Sequence, residues 1–290
     1  MHAILGASGK VGRTTIAVLR KTGVPVRAIL RDASKAQAFS DLGCEIAIAD
    51  MHDHQALTTA FKGASAVQVI CPVDIRAREA DSSMRRLVDS LGEALAVAKP
   101  QTVLAISDYG AQHSSGTGVT LIFHALEARL RQLETRLILL RSAEHMENWA
   151  RLANVAAESG RLPSFYHPLT KALPTISAFD VGTIAAELLL EKHEAAARIV
   201  HAEGPNRYTP NDVAAAIASL AGREVIAQPL PETEWQATLI RAGLSEDYTR
   251  LLVELYLAHN AGRIDAEKDV GELRRGKTEL TDVLRRILNA

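Results

Sequence analysis

Cysteine is nearly absent from this chain: two in 290 residues, Cys44 and Cys71. Two thiols cannot build a disulfide framework, and no Cys-x-x-Cys occurs, so both are expected to be structural thiols in a reducing compartment. Aromatic residues are scarce, at 4%. No apolar run reaches the ~18 residues of a membrane span. The first such run, Ala3-Ile4-Leu5, stops at a glycine and is too short for a signal peptide. Neither charge sign dominates: the formal net charge is −1. That argues against broad capture of nucleic acid, which needs a concentrated basic face. The expectation is a cytoplasmic protein with no direct nucleic-acid partner and no membrane association.

What is present is an ordinary globular composition, 47% hydrophobic and 23% charged, long enough for one large domain or two modest ones. Short apolar runs at 2–5, 24–30, 45–49, 66–71, 102–106 and 136–140 alternate with helical stretches. Near-continuous apolar strands suit a parallel sheet covered on both faces. The clearest helix lies over 84–98, where Met84, Leu87, Val88, Leu91, Leu95 and Ala98 form one stripe. After Arg141 the rhythm changes. A proline-rich stretch over 161–174 reads as loop with short strands, and Asp180 reads as the cap of a helix over 181–192. Thr209, Pro210 and Asp212 mark another helix start, with Gly222 its stop. Further helices are expected near 232–242, 245–261 and 279–288. The pattern predicts an α/β, Rossmann-type, doubly wound parallel sheet over 1–150. A smaller, helix-rich C-terminal lobe is expected over 151–290, with some segments returning to the sheet. No internal repeat or low-complexity tract interrupts it.

The most informative stretch is AILGASGKVGRTT at 3–15. A strand ending at Leu5 must turn at once into a helix beginning near Lys10. Glycine permits that turn, and its missing Cβ lets a pyrophosphate approach the backbone. Helix N–H groups and the helix dipole then face the phosphates. Gly6, Ser8, Gly9, Lys10, Val11 and Gly12 are therefore the expected cofactor cradle. About 20 residues further on, an acid would select NAD through its ribose hydroxyls. Arg31 stands there instead, and its guanidinium suits a 2′-phosphate. Lys35 adds a second positive charge, while Asp32 beside them is placed to cap the next helix. NADP(H) is thus favoured over NAD(H), with a merely solvated Arg31 as the alternative. Cys71 and Pro72 end the fourth strand, at the edge where parallel sheets bind ligands. Cys71 is either a redox thiol or a small buried hydrophobe.

The Gly-x-x-Gly-x-x-Gly spacing resembles the short-chain dehydrogenase/reductase superfamily. More narrowly, ILGASGKVG followed by VRAILRD resembles its atypical, NmrA-like branch, which includes NAD(P)H:quinone oxidoreductases and cofactor-sensing regulators. ISDYGAQ at 106–112, LILLRSAEHMEN at 137–148, ISAFDVGTIAAELL at 176–189 and HAEGPNRYTPNDVAAAIASLAGREV at 201–225 extend the resemblance over nearly the whole chain. It implies that Asp50 and Met51 border the adenine; a plain loop acid is the other reading of Asp50. Typical members of the superfamily use a serine after the fifth strand with Tyr-x-x-x-Lys on the next helix. Ser107 matches the serine. The helix over 118–134 holds neither tyrosine nor lysine, and Phe123 stands where related reductases often carry a lysine, four residues before Glu127.

No catalytic residue is therefore assigned. Tyr109 and His124 are the candidates, the first to stack on nicotinamide or substrate or to give a proton, the second a proton donor at neutral pH or a surface helix residue. In RSAEHMEN, the neighbours Glu144, His145, Glu147 and Asn148 invite a metal site, but sequence neighbours rarely converge on one ion and no second cluster appears, so none is expected. The family pattern puts the Glu147-Asn148 pair at the pocket floor. Asn148 is expected to bond substrate or to brace the turn. Phe165, Tyr166 and His167 form either a lid, with Tyr166 on substrate, or a packed connector. Hydride transfer to a quinone or small electrophilic carbonyl compound needs little acid–base apparatus. That makes an NADP(H)-dependent oxidoreductase the first expectation. A non-catalytic redox sensor acting through a protein partner is the alternative, and a homodimer remains open.

Overall fold

The computed structural model describes residues 1–289. In chain order its first half runs β1 (His2–Leu5), α1 (Lys10–Lys21), β2 (Val26–Leu30), α2 (Ala36–Ser40), β3 (Glu45–Ile48), α3 (His54–Phe61), β4 (Ala66–Ile70), α4 (Ala80–Ala98), β5 (Thr102–Asp108), α5 (Leu121–Leu130) and β6 (Arg136–Ser142). There follow β7 (Glu144–His145), α6 (Ala150–Ser159), β8 (Arg161–Ser164), β9 (Thr175–Ile176), α7 (Ala178–Leu190), β10 (Ala197–Glu203) and α8 (Pro210–Ala221). The last are β11 (Ile226–Pro229), α9 (Glu232–Arg241), α10 (Glu246–Asn260), β12 (Glu272–Arg275) and α11 (Leu280–Leu288).

Eight strands form one parallel sheet in the order β12-β10-β6-β5-β4-β1-β2-β3. The strand order reverses between β1 and β4, which is where open α/β sheets bind ligands at the strands' carboxyl ends. Inner strands are apolar because helices cover both faces; β4 and β5 bury Val67, Val69, Val103, Leu104 and Ala105. Of the two edge strands, β12 (Glu-Leu-Arg-Arg) is mostly charged, which discourages pairing with other chains, whereas β3 (Glu-Ile-Ala-Ile) carries a single charge, Glu45.

Helix α4 buries Met84, Leu87, Val88, Leu91 and Leu95, the stripe read from the sequence, and begins one turn earlier than that stripe. Thr209 and Asp212 cap α8 reciprocally, Pro210 opens it and Gly222 ends it in the left-handed region at φ 66. Helix α7 departs from expectation. Its cap is Ser177, whose hydroxyl accepts from the Phe179 N–H, and the helix starts at Ala178. Asp180 lies inside the first turn and accepts instead from the backbone and hydroxyl of Thr278, at 2.8 and 2.9 Å.

Segments beyond residue 150 serve two purposes. Strands β10 and β12 complete the main sheet, and α7 packs on α1. The approach is close: a Cβ at Gly182 would lie 2.6 Å from the Val11 carbonyl oxygen, and the Thr15 hydroxyl donates to the Gly182 carbonyl at 3.1 Å. The remainder builds a second core from α6, β8, α8, β11 and α11, around Met146, Trp149, Ala153, Leu162, Ile217 and Leu284. Each such fully buried aliphatic side chain contributes about 1.5–3 kcal/mol. Among the described residues no helix is long and apolar enough to cross a membrane.

Candidate cofactor cradle and active-site cavity

The glycine turn sits at the sheet's switch point. Gly6 has φ +70, and a Cβ there would meet Ile70 Cγ2 at 2.6 Å across the gap between β1 and β4. A Cβ at Gly12 would lie 2.4 Å from the Gly6 carbonyl oxygen, so only glycine lets α1 start so near the turn. Helix α1 opens at Gly9 with no side-chain cap, leaving its first N–H groups facing outward with Lys10 beside them. A cleft here is lined by Gly6, Gly9, Lys10, Gly12, Glu147 and Ala178 among others. Uncapped amides, a lysine and a surface that a Cβ would fill together fit a dinucleotide pyrophosphate. Glu147 does not compete for it. Its carboxylate accepts from the Ser177 hydroxyl at 3.0 Å and the Ala178 N–H at 2.9 Å, fixing the start of α7.

Arg31 lies one residue past β2, next to the position opposite Gly6, as the register Leu5 with Ile29 dictates. Arg31 and Lys35 are exposed. Asp32 accepts from the Ser34 N–H and hydroxyl, capping the short helical turn at 33–35. Asp50, past the end of β3, accepts from the His52 N–H, and Met51 packs on the core beneath.

Ile70, His145 and Asn148 line both the cradle and an adjoining cavity of about 370 Å³. One wall comes from strand ends: Cys71, Ile106, Ser107, Asp108, Ser142 and Glu144. The other is apolar and aromatic, with Phe123 and Phe165 facing Leu239, Leu252, Tyr248 and Tyr256 of α9 and α10. Cys71 is buried, and burial pushes its thiol up to about 12, so at neutral pH it is an inert hydrophobe. Burial likewise holds His145 below its ordinary value, against the charge of Glu147, so the ring is neutral. Asn148 donates to Glu144 at 2.6 Å.

Several expected side chains are turned elsewhere. Ser107 lines the cavity but donates its hydrogen to Glu127 at 2.6 Å. Glu127 is itself buried and clamped by Arg141 through two bonds of 2.8 and 2.7 Å, with Glu267 on the same guanidinium at 2.6 Å. Tyr109 does not line the cavity. It is 1% exposed, its hydroxyl donates to Glu203 at 3.2 Å and its ring meets His201 edge-on. His124 lies outside the lining too and donates from Nδ1 to the Ala111 carbonyl at 2.9 Å. Pro72 is exposed. Tyr166 lines a small neighbouring pocket with Trp149, Phe165 and Tyr256, its ring packed against His259. Among the described residues no group of three or more His, Cys, Asp or Glu is placed to hold a metal ion.

A model of the NmrA-like family matches residues 2–275. The chain belongs to that family. This NmrA-like chain is 26% identical over 289 residues to quinone oxidoreductase 2 of Escherichia coli (strain K12), covering 94% of this chain and 93% of that protein. It is 24% identical over 267 residues to the NAD(P)H azoreductase of Xenophilus azovorans, covering 88% and 86%. Among solved structures, Citrobacter sp. triphenylmethane reductase complexed with NADP(H) aligns with TM-score 0.83 at 20% identity, over 99% of this chain and 100% of that one.

Sequence reasoning missed the α9–α10 wall and Asp108. Tyr248, Tyr256, Leu252 and Leu239 look like any amphipathic helix stripe, and only the tertiary fold turns that stripe toward the strand ends. For Asp108 a signal was present. It stands between Ser107 and Tyr109 at the carboxyl end of a parallel strand, the edge at which such sheets bind ligands.

Proposed function

We propose that this chain is an NADP(H)-dependent oxidoreductase that passes a hydride to a quinone or a small electrophilic carbonyl compound. One observation carries the reading: the glycine cradle opens, through the shared residues Ile70, His145 and Asn148, into an apolar cavity at the switch point. When bound, the dinucleotide would supply the hydride at its nicotinamide. The chain's residues do the rest. The amides at the start of α1 and Lys10 would hold the pyrophosphate, and Arg31 with Lys35 would take the 2′-phosphate. Ile70, Cys71 and Ile106 give the ring an apolar seat. Phe123, Phe165, Tyr248 and Tyr256 flank a flat conjugated acceptor and exclude water around it. The printed names of the curated relatives, a quinone oxidoreductase and an NAD(P)H azoreductase, support the same reaction class.

The test is direct. Purified protein is mixed with NADPH and a panel of benzo- and naphthoquinones while the nicotinamide absorbance is followed. Steady, enzyme-dependent loss of that absorbance is expected. Tight cofactor binding with no turnover across the panel would sink the reading.

A further inference from the structure

Reducing a quinone takes a hydride and one proton, and the pair that supplies the proton in the wider superfamily is missing here. Four side chains in or beside the cavity, Ser107, Tyr109, His124 and Ser142, are engaged. Ser107 donates to Glu127, Tyr109 to Glu203 and His124 to Ala111. The Ser142 hydroxyl lies between the Ser107 carbonyl at 3.3 Å and His145 Nε2 at 3.4 Å. Two carboxyl groups remain in the cavity wall, Asp108 at the end of β5 and Glu144 two residues past β6. Asp108 pairs in register with Ser142, so both acids lie at neighbouring strand ends. Among the described lining residues there is no lysine or arginine.

Building on the oxidoreductase reading, we propose that Asp108 is the acid that protonates the reduced acceptor, with Glu144 as its charged neighbour. Asp108 also accepts from the Tyr109 N–H, so the division of roles follows from burial and charge as well as from hydrogen bonding. Asn148 donates to Glu144 at 2.6 Å, which favours the ionised form of that carboxylate. Ionising Asp108 as well would place two negative charges side by side in the strand-end wall. Burial, and then the charge of Glu144, hold the Asp108 carboxyl well above the ordinary carboxylate range. Among the described residues the other titratable groups around it do not reverse this. His145 is held neutral by burial, and His259, whose Nε2 lies 4.0 Å from Glu144, is pushed down to about 4. Tyr166 is held protonated by burial and then by the charge of Glu144. Tyr248 and Tyr256 complete the wall.

The step balances. The C–H bond of the reduced nicotinamide breaks with its electron pair, and the quinone receives both, leaving one oxygen as an oxyanion. The Asp108 O–H bond then breaks as a new O–H forms on that oxygen. The quinone is reduced by two electrons to the hydroquinone, the cofactor is oxidised, and Asp108 regains its proton from water.

Two readouts test this on the full chain. In the cofactor-free protein, infrared difference spectra should contain a protonated-carboxyl C=O band near neutral pH that Asp108→Asn lacks. With NADPH and a benzoquinone, Asp108→Asn should lower kcat roughly 100-fold and lose the fall in rate at high pH. Glu144→Gln removes a like charge, so the same fall should move to lower pH. No band in the wild type, or Asp108→Asn retaining kcat within about twofold, overturns the assignment. If Asp108→Asn does not fold, an unmoved limb in Glu144→Gln overturns it instead. A wild-type protein that reduces no quinone refutes the oxidoreductase reading itself, and the acid role with it, whereas an active wild type with an indifferent Asp108→Asn refutes only the acid.

Discussion

On the proposed reading, cofactor choice rests on Arg31. Its guanidinium is exposed beside the glycine turn, Asp32 is occupied with Ser34, and Lys35 is close in sequence and also exposed. Charge-assisted bonds to a phosphate are worth about 1.5–3 kcal/mol each, and reversing the sign adds repulsion. Arg31→Glu should therefore weaken NADPH at least ~30-fold more than NADH, measured by fluorescence titration of both cofactors. Equal losses would remove the 2′-phosphate assignment. The position of Arg31 past the end of β2 was legible in the sequence because a β-strand has a fixed rise and the ligand edge a fixed place. Asp108 was not read, although it adjoins two residues that were, because its value depends on Glu144 brought alongside by strand pairing.

At the level of elements, local chemistry set what could be read. The capping box at Thr209 and Asp212 acts within four residues, so it predicts α8 without any tertiary knowledge. Thr209→Ala should lower stability by about 1 kcal/mol, seen as a lower urea midpoint with an unchanged slope. A destabilisation near zero would mean that the cap is redundant with the packing of α8 against the second core. The start of α7 was harder. Ser177 and Asp180 are both good caps by type, and distant partners decide between them: Glu147 holds the Ser177 turn while Thr278 takes Asp180. The sheet strands were legible because both faces are covered. The wall from α9 and α10 was not, since a buried stripe does not reveal what it is buried against.

For the molecule as a whole, buried histidines set the acid limit. His259 is 3% exposed and is pushed down to about 4 by burial and then by Lys171, whose ammonium bonds the His259 and Asn260 carbonyls. In the unfolded chain the same ring takes a proton near 6.5. The folded state is thus favoured fully above pH 6.5, and that advantage is lost progressively as pH falls toward 4. Burial lowers His145 and His201 in the same sense. Urea midpoints should fall across this window, and His259→Gln should flatten the fall; an equally steep fall in that variant would assign the acid sensitivity to other groups. The order of the sheet also sets a schedule for synthesis. Strand β6 carries the apolar run Leu137, Ile138, Leu139 and Leu140, and its outer partner β10 comes some 60 residues later in the chain. Until a ribosome has delivered Ala197–Glu203, that run is an open seam at which two nascent chains could zip together. Translation speed between Ser142 and Glu203 is therefore a lever on yield.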